Sequence, residues 1–180
     1  MGLILEGLES VGQRVGRAMK VRSADTGAVP RMQVGVLPIA RLPGGDPFVL
    51  LVTSRETRRW VIPKGWPMKG LKPYEAAMRE AYEEAGLVGR VGKRAVGQYS
   101  YDKRLKGEKV ITCLVQVFPF AVRKRRKTWP EMDQRTARWF TVAEAAQAVA
   151  EPGLAAIIRA LANAEPEDAG SVMDEVSSAA

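Results

Sequence analysis

Glu80, Glu83 and Glu84 fall within little more than one helical turn in the segment PKGWPMKGLKPYEAAMREAYEEAGL, residues 63–87. At about 100° per residue, with Glu80 at zero, Glu83 lies near −60° and Glu84 near +40°. The three carboxylates share one stripe, while Met78, Ala81, Tyr82 and Ala85 gather on the other side for burial. Like charges at i, i+4 cost roughly 0.2–0.5 kcal/mol per pair, and acids near a helix C-terminus oppose the macrodipole. No base follows one turn on, where Glu83 and Glu84 meet Leu87 and Val88. A solvated acidic face is one reading. A divalent cation reverses the sign of the repulsion, and that is the other.

The preceding loop, PKGWPMKG, offers backbone carbonyls and a flexible Gly65 for close approach, with Lys64 and Lys69 as partners for phosphate oxygens. Divalent-metal and phosphate chemistry is the combined expectation. Histidine is absent from the 180 residues, which excludes imidazole proton transfer and histidine metal ligands within them. A metal must then be held by oxygen, which favours magnesium, manganese or calcium. The single cysteine, Cys113, lies in the apolar run VITCLVQVFPF and reads as a small buried hydrophobe.

These residues need a scaffold, and the chain is long enough for one core with tails. Strands are expected at 34–41, 48–54, 60–62, 88–99, 109–122 and 137–140. Pro38 argues that the first is an edge or carries a bulge. A helix is expected over 72–85, with Pro73 in its first turn and Gly86 as its stop. Thr141 caps a further helix from Val142, with Glu144 completing a capping box, and a last helix covers 153–162. Residues 1–20 read as a weak helical arm and 21–30 as a linker; 31–163 form the domain and 164–180 an acidic, disordered tail. The order gives an α+β domain with a mixed sheet and helices on its faces.

Charge is unevenly spread. Five acids follow Ala164 without a base, leaving 28 basic against 15 acidic residues over 1–163. Such a body attracts nucleotides, polyphosphates or nucleic acid. No apolar run approaches the roughly 20 residues needed to span a bilayer, and LIL near the start has no basic residue before it. A cytoplasmic location without membrane contact is the expectation, and oligomeric state leaves no signal.

REAYEEAGL, residues 79–87, resembles the ending of the Nudix box, REUXEEXGU, where U is a bulky apolar residue. Gly65 stands at the box glycine with the required spacing to Arg79. Ala81 occupies the first U position, and Leu71 stands where the box has its first glutamate. LLVTSRETRRWVIPKG, the WPE segment and RTARWFTVAEAAQAV are similar to the diphosphoinositol-polyphosphate phosphohydrolase branch of the family. The likeness covers roughly residues 34–161 and implies an α/β/α sandwich in which the box forms a loop–helix–loop.

The resemblance implies metal-dependent hydrolysis of a phosphoanhydride in a highly phosphorylated small molecule, such as a dinucleoside polyphosphate or an inositol pyrophosphate. It makes Glu80, Glu84 and the Gly65 carbonyl ligands of Mg2+ or Mn2+, and Glu83 a further ligand or the base. Arg79 orients a box glutamate, and Glu131 and Asp133 are alternative bases. Arg55, in the SR element, becomes a contact for a remote phosphate beside Lys64 and Lys69. Glu75, four residues before Arg79, is expected to replace some of the support lost at Leu71. Arg58 and Arg59 read as a phosphate contact or a solvated turn. The run at 123–127, RKRRK, reads as a solvated hairpin end, a guide for polyphosphate or a contact for RNA. Trp60, Trp66, Trp129 and Trp139 flank these segments, for packing or for stacking on a base. Hydrolysis of nucleotide sugars, ADP-ribose or RNA 5′ ends is the alternative activity, and a weakened Nudix-fold regulatory protein is the alternative class.

Overall fold

A computed structural model of the chain describes residues 29–41, 45–105 and 109–160. The expected N-terminal arm and acidic tail lie outside the described residues.

The run RMQVGVLPIAR forms β1, Arg31–Arg41, whose residues from Gln33 to Pro38 are all buried. Burial on both faces is what a central strand requires. β1 pairs in parallel with β7, Val110–Arg125, from Arg31 opposite Cys113 to Ile39 opposite Ala121. On its other side it meets two partners in turn. Val34 and Gly35 pair with β4, Lys64–Gly65, and Ile39 to Arg41 pair with β2, Pro47–Thr53.

Pro38 is therefore not on an edge. The Val36 N–H donates to the Pro63 carbonyl at 3.0 Å, so Pro38, of the same parity, directs its missing donor into the gap where β1 passes from β4 to β2. The strand expected over 88–99 is also corrected. It is two strands, β5 at Leu87–Val91 and β6 at Gly97–Arg104, and both pair with β7. The intervening GKRAV works as a turn. β3, Trp60–Val61, and β8, Ala137–Thr141, both pair with β2 and complete the mixed sheet.

Adjacent residues on each strand point to opposite faces, which builds two cores. Leu37, Val49, Leu51, Val115 and Val117 pack beneath α2, Val142–Ala148, and α3, Pro152–Ala160. Val36, Leu50, Val52, Phe118 and Phe120 pack beneath α1, Pro73–Ala85. Helices on both faces of one mixed sheet give the expected three-layer α+β sandwich. The Thr141–Glu144 capping box is present, with Thr141 N–H donating to Glu144 Oε2 at 2.9 Å. Among the described residues no helix is long and apolar enough to cross a membrane.

α1 is the element that carries the acids. Pro73 sits in its first turn, and Glu75 Oε2 accepts from the Lys72 N–H at 2.8 Å. Ala76, Ala77, Ala81 and Ala85 form its buried face, so the helix lies close on the sheet. Gly86 ends it at φ 68°, and a Cβ there would also stand 2.6 Å from the Trp129 ring. Both the backbone angle and the indole demand glycine.

Candidate active site

The β3–β4 segment brings the Lys64–Gly65 loop against the acidic face of α1. A Cβ on Gly65 would collide with the Glu80 carboxylate, so the absent side chain makes the room that Glu80 occupies. Glu84, two-sided and buried, locks the loop to the helix. Its Oε2 accepts the Lys64 N–H at 3.1 Å, and its Oε1 is held by Arg135.

Arg135 was not singled out by sequence, yet it is the hub. Its Nε donates to Glu131 Oε2 at 2.6 Å and its Nη1 to the Thr53 carbonyl at 3.0 Å, while Nη2 meets Glu84. One buried guanidinium thus joins β2, α1 and the loop after β7. Its only trace in the sequence is an arginine standing four residues after Glu131 and just before a strand.

Glu83 and Glu84 have no base one turn on, but each meets an arginine from elsewhere. Arg79, one turn before Glu83, donates from Nε to Glu83 Oε1 at 2.8 Å, and Arg135 meets Glu84 from a distant segment. Glu75 does not stand in for the residue missing at Leu71, because its carboxylate caps the start of α1. Leu71 is itself 39% exposed and lines a surface pocket with Met78, Arg79 and Tyr82.

Arg55 reaches the site's edge, 3.5 Å from Glu131 Oε1, with its side chain largely exposed. Lys64 is half-buried with its Nζ 5.1 Å from the Tyr101 ring centroid, and burial pushes its ammonium below the usual lysine range. Lys69 and Asp133 are exposed, and no ion pair involves them among the described residues. Arg58 and Arg59 lie exposed in the turn before β3, and each is tied to a neighbour. Arg58 Nη1 donates to the Gln134 carbonyl at 2.9 Å, and Arg59 pairs with Glu151 at 3.2 Å.

The basic run is partly structural. Arg125 Nε donates to the Ala85 carbonyl at 3.0 Å, and the Arg126 N–H donates to the Gly86 carbonyl at 2.8 Å. They meet carbonyls that the end of α1 leaves without helical partners, and the charge opposes the acids there. Trp60 packs edge-on against Phe140 at 5.0 Å, Trp139 borders the core under α1, and Trp129 lies on Gly86.

Electrostatics single out Glu80. Glu83, Glu84 and Glu131 each have an arginine, whereas Glu80 has no ion-pair partner among the described residues. Burial, then repulsion from Glu84, Glu83 and Glu131, pushes its carboxyl up to about 7. Burial also raises Glu84, against the pull of Arg135 and Lys64. Among the described residues no three acidic side chains already stand around a common point. The donor set nevertheless suits a hard cation: all oxygen, in charge excess, beside a glycine cradle.

The NUDIX domain family model matches residues 29–161. Nudix hydrolase 13, mitochondrial, of Arabidopsis thaliana is 32% identical over 102 residues, which is 54% of this chain and 50% of that protein. Diphosphoinositol polyphosphate phosphohydrolase 3-alpha of Mus musculus is 30% identical over 102 residues, 56% of this chain and 58% of that protein. The chain thus spans about half the length of the curated relatives it matches. Among solved structures, a C. elegans Ap4A hydrolase binary complex shares the fold with a TM-score of 0.54 at 19% identity, over 72% of this chain and 93% of that one. With a family match over most of its length and a glycine-cradled acidic helix at the place the box predicts, the chain belongs to the NUDIX domain family.

Proposed function

We propose that the protein is a metal-dependent pyrophosphohydrolase acting on a highly phosphorylated small molecule, of the dinucleoside polyphosphate or inositol pyrophosphate kind. The observation that carries this reading is Glu80: a carboxylate against Gly65, repelled by three neighbours and without an ion-pair partner among the described residues. The Arabidopsis and mouse relatives support the class of chemistry by their names.

Glu80, Glu84 and the Gly65 carbonyl would hold the ion, with Glu83 at hand as a further ligand. When bound, Mg2+ or Mn2+ neutralises charge and polarises the phosphate oxygens. The protein's own groups do the rest. Arg79 fixes Glu83 Oε1 and leaves Oε2 to take the proton of the attacking water. Oxygen from that water forms a bond to one phosphorus as the bridging P–O bond breaks, and the released phosphate leaves with the electron pair. Arg55, Lys64 and Lys69 meet the phosphates, and Arg135 keeps Glu84 and the 131–135 loop in place.

Phosphate release from a panel of dinucleoside polyphosphates, inositol pyrophosphates, nucleotide sugars and triphosphorylated RNA, with and without magnesium, tests the reading. Wild type should need the metal, and Glu84→Gln should lose roughly a hundredfold or more in turnover. Turnover indifferent to both would remove it.

A further inference from the structure

An apolar pocket lies on the outward side of α1, between the helix and β5. Its walls include Leu71, Met78, Tyr82, Leu87 and Val88, and its volume is about 590 Å3. Leu71, Met78 and Tyr82 are 39%, 39% and 41% exposed, and large apolar side chains gathered in one place mark a surface that another chain segment covers. Leu71 matters here in its own right. A glutamate at that position, as the box has, would set a charge in the apolar wall. Among the described strands β5 pairs with β7 alone, so the pocket opens at an edge of the sheet.

The C-terminal segment of the same chain departs toward this edge. α3 runs antiparallel to β6: a Cβ on Gly153 would stand 2.9 Å from Tyr99 Cβ, and one on Gly97 2.8 Å from Ile157. The last turn of α3, ending at Ala160, is therefore directed at the β5–β6 turn, where Lys93 and Arg94 are exposed. Neither cation pairs with a carboxylate among the described residues. The sequence beyond α3 is acidic first, with Glu165, Glu167 and Asp168, and then apolar, with Val172, Met173 and Val176. That order matches the edge, which offers two cations and then, along β5, the pocket. Fully extended, the stretch from Ala160 to Val172 covers about 40 Å, against roughly 17 Å for the length of β5. The N-terminal segment is worse placed. It departs from Arg31, opposite Cys113, whereas Leu87 lies opposite Arg125, about 40 Å further along β7.

We infer that residues 165–176 form a strap over the β5 edge. Glu165, Glu167 and Asp168 lie on Lys93 and Arg94, and Val172, Met173 and Val176 fill the pocket between α1 and β5. A tether this short holds the segment at an effective concentration on the order of millimolar, so modest contacts suffice to seat it. The ionic half weakens with salt, while the apolar half does not. Arg79, which holds Glu83, also lines the pocket, so the seated strap touches the arginine that positions an acid of the candidate site.

A nitroxide attached to Ser177→Cys in the full chain tests the strap by nuclear magnetic resonance. Cys113 is fully buried, and wild type treated alike serves as the blank. In low salt the amide signals of Met78, Tyr82 and Val88 should lose about half of their intensity or more, and that of Ala145, beneath the opposite face, should lose none. Met173→Asp should restore all three signals. The Lys93→Glu, Arg94→Glu double variant should restore most of their intensity, as should salt of about 1 M. Signals elsewhere that keep their positions show that each variant is folded. Intensities that stay full, or losses that survive Met173→Asp, overturn the inference. So does broadening passed from spin-labelled molecules to isotope-enriched ones without a label, which makes the occupant a second copy of the chain.

Discussion

Arg135 meets Glu84 across 51 positions of sequence, and both side chains are almost wholly buried. Lone charges of this kind are costly in a protein interior, and breaking such a pair from one side typically costs about 3–5 kcal/mol. Arg135→Ala should therefore destabilise the metal-free protein by that order, read from urea unfolding. Saturating magnesium should return part of the loss, since a bound ion substitutes for the missing guanidinium. A loss under about 1 kcal/mol would show the clasp to be idle.

Glu80 makes stability depend on pH in a predictable direction. Its carboxyl is raised in the folded protein from the ordinary 4.5 to about 7. The folded state thus prefers the protonated form. The stabilisation is complete below about pH 4.5, and it is lost as pH rises through about 7. In chelator, the melting temperature of wild type relative to Glu80→Gln should fall between pH 5.5 and pH 8, and divalent metal at pH 8 should recover it. Parallel pH profiles for the two proteins would exclude this role.

Leu71 lies in the pocket that holds Arg79, and it is already partly exposed. A glutamate there gives Arg79 a second carboxylate and frees Glu83 Oε1, which Arg79 now occupies. Leu71→Glu should raise metal-dependent turnover, with stability changed by no more than about 0.5 kcal/mol. Equal turnover in the two proteins would discard Leu71 as the reason for any sluggishness.

Gly65→Ala places a methyl group where the Glu80 carboxylate now rests. The carboxylate must swing out, so Mn2+ affinity measured by electron paramagnetic resonance should fall about tenfold or more, with far-ultraviolet circular dichroism unchanged. Undiminished affinity would take Glu80 and the glycine cradle out of the ligand set.

The parts that sequence made legible are local. Pro73 and Gly86 bound α1, and Thr141 with Glu144 starts α2, because each signal acts within one helical turn. The stripe of Glu80, Glu83 and Glu84 follows from the helical period alone. What stayed hidden is tertiary. The counter-charge for Glu84 comes from a different segment, and no periodicity announces Arg135. Pro38 read as the mark of an edge or a bulge because a strand's own sequence does not say that its neighbour changes midway. The cations over Trp66 come from β1 and β6, and only the sheet register brings them together.

The parallel pairing of β1 with β7 also sets an order of events. Arg31 finds Cys113 only after some eighty residues have been made, and contacts that close so long a loop form late. α1, with its own caps, lies wholly inside that loop and needs no distant strand to begin forming. Arg135 follows β7 in the chain. During synthesis the acidic helix therefore precedes the arginine that will neutralise it, and solvent ions must screen its carboxylates until the second half of the chain emerges.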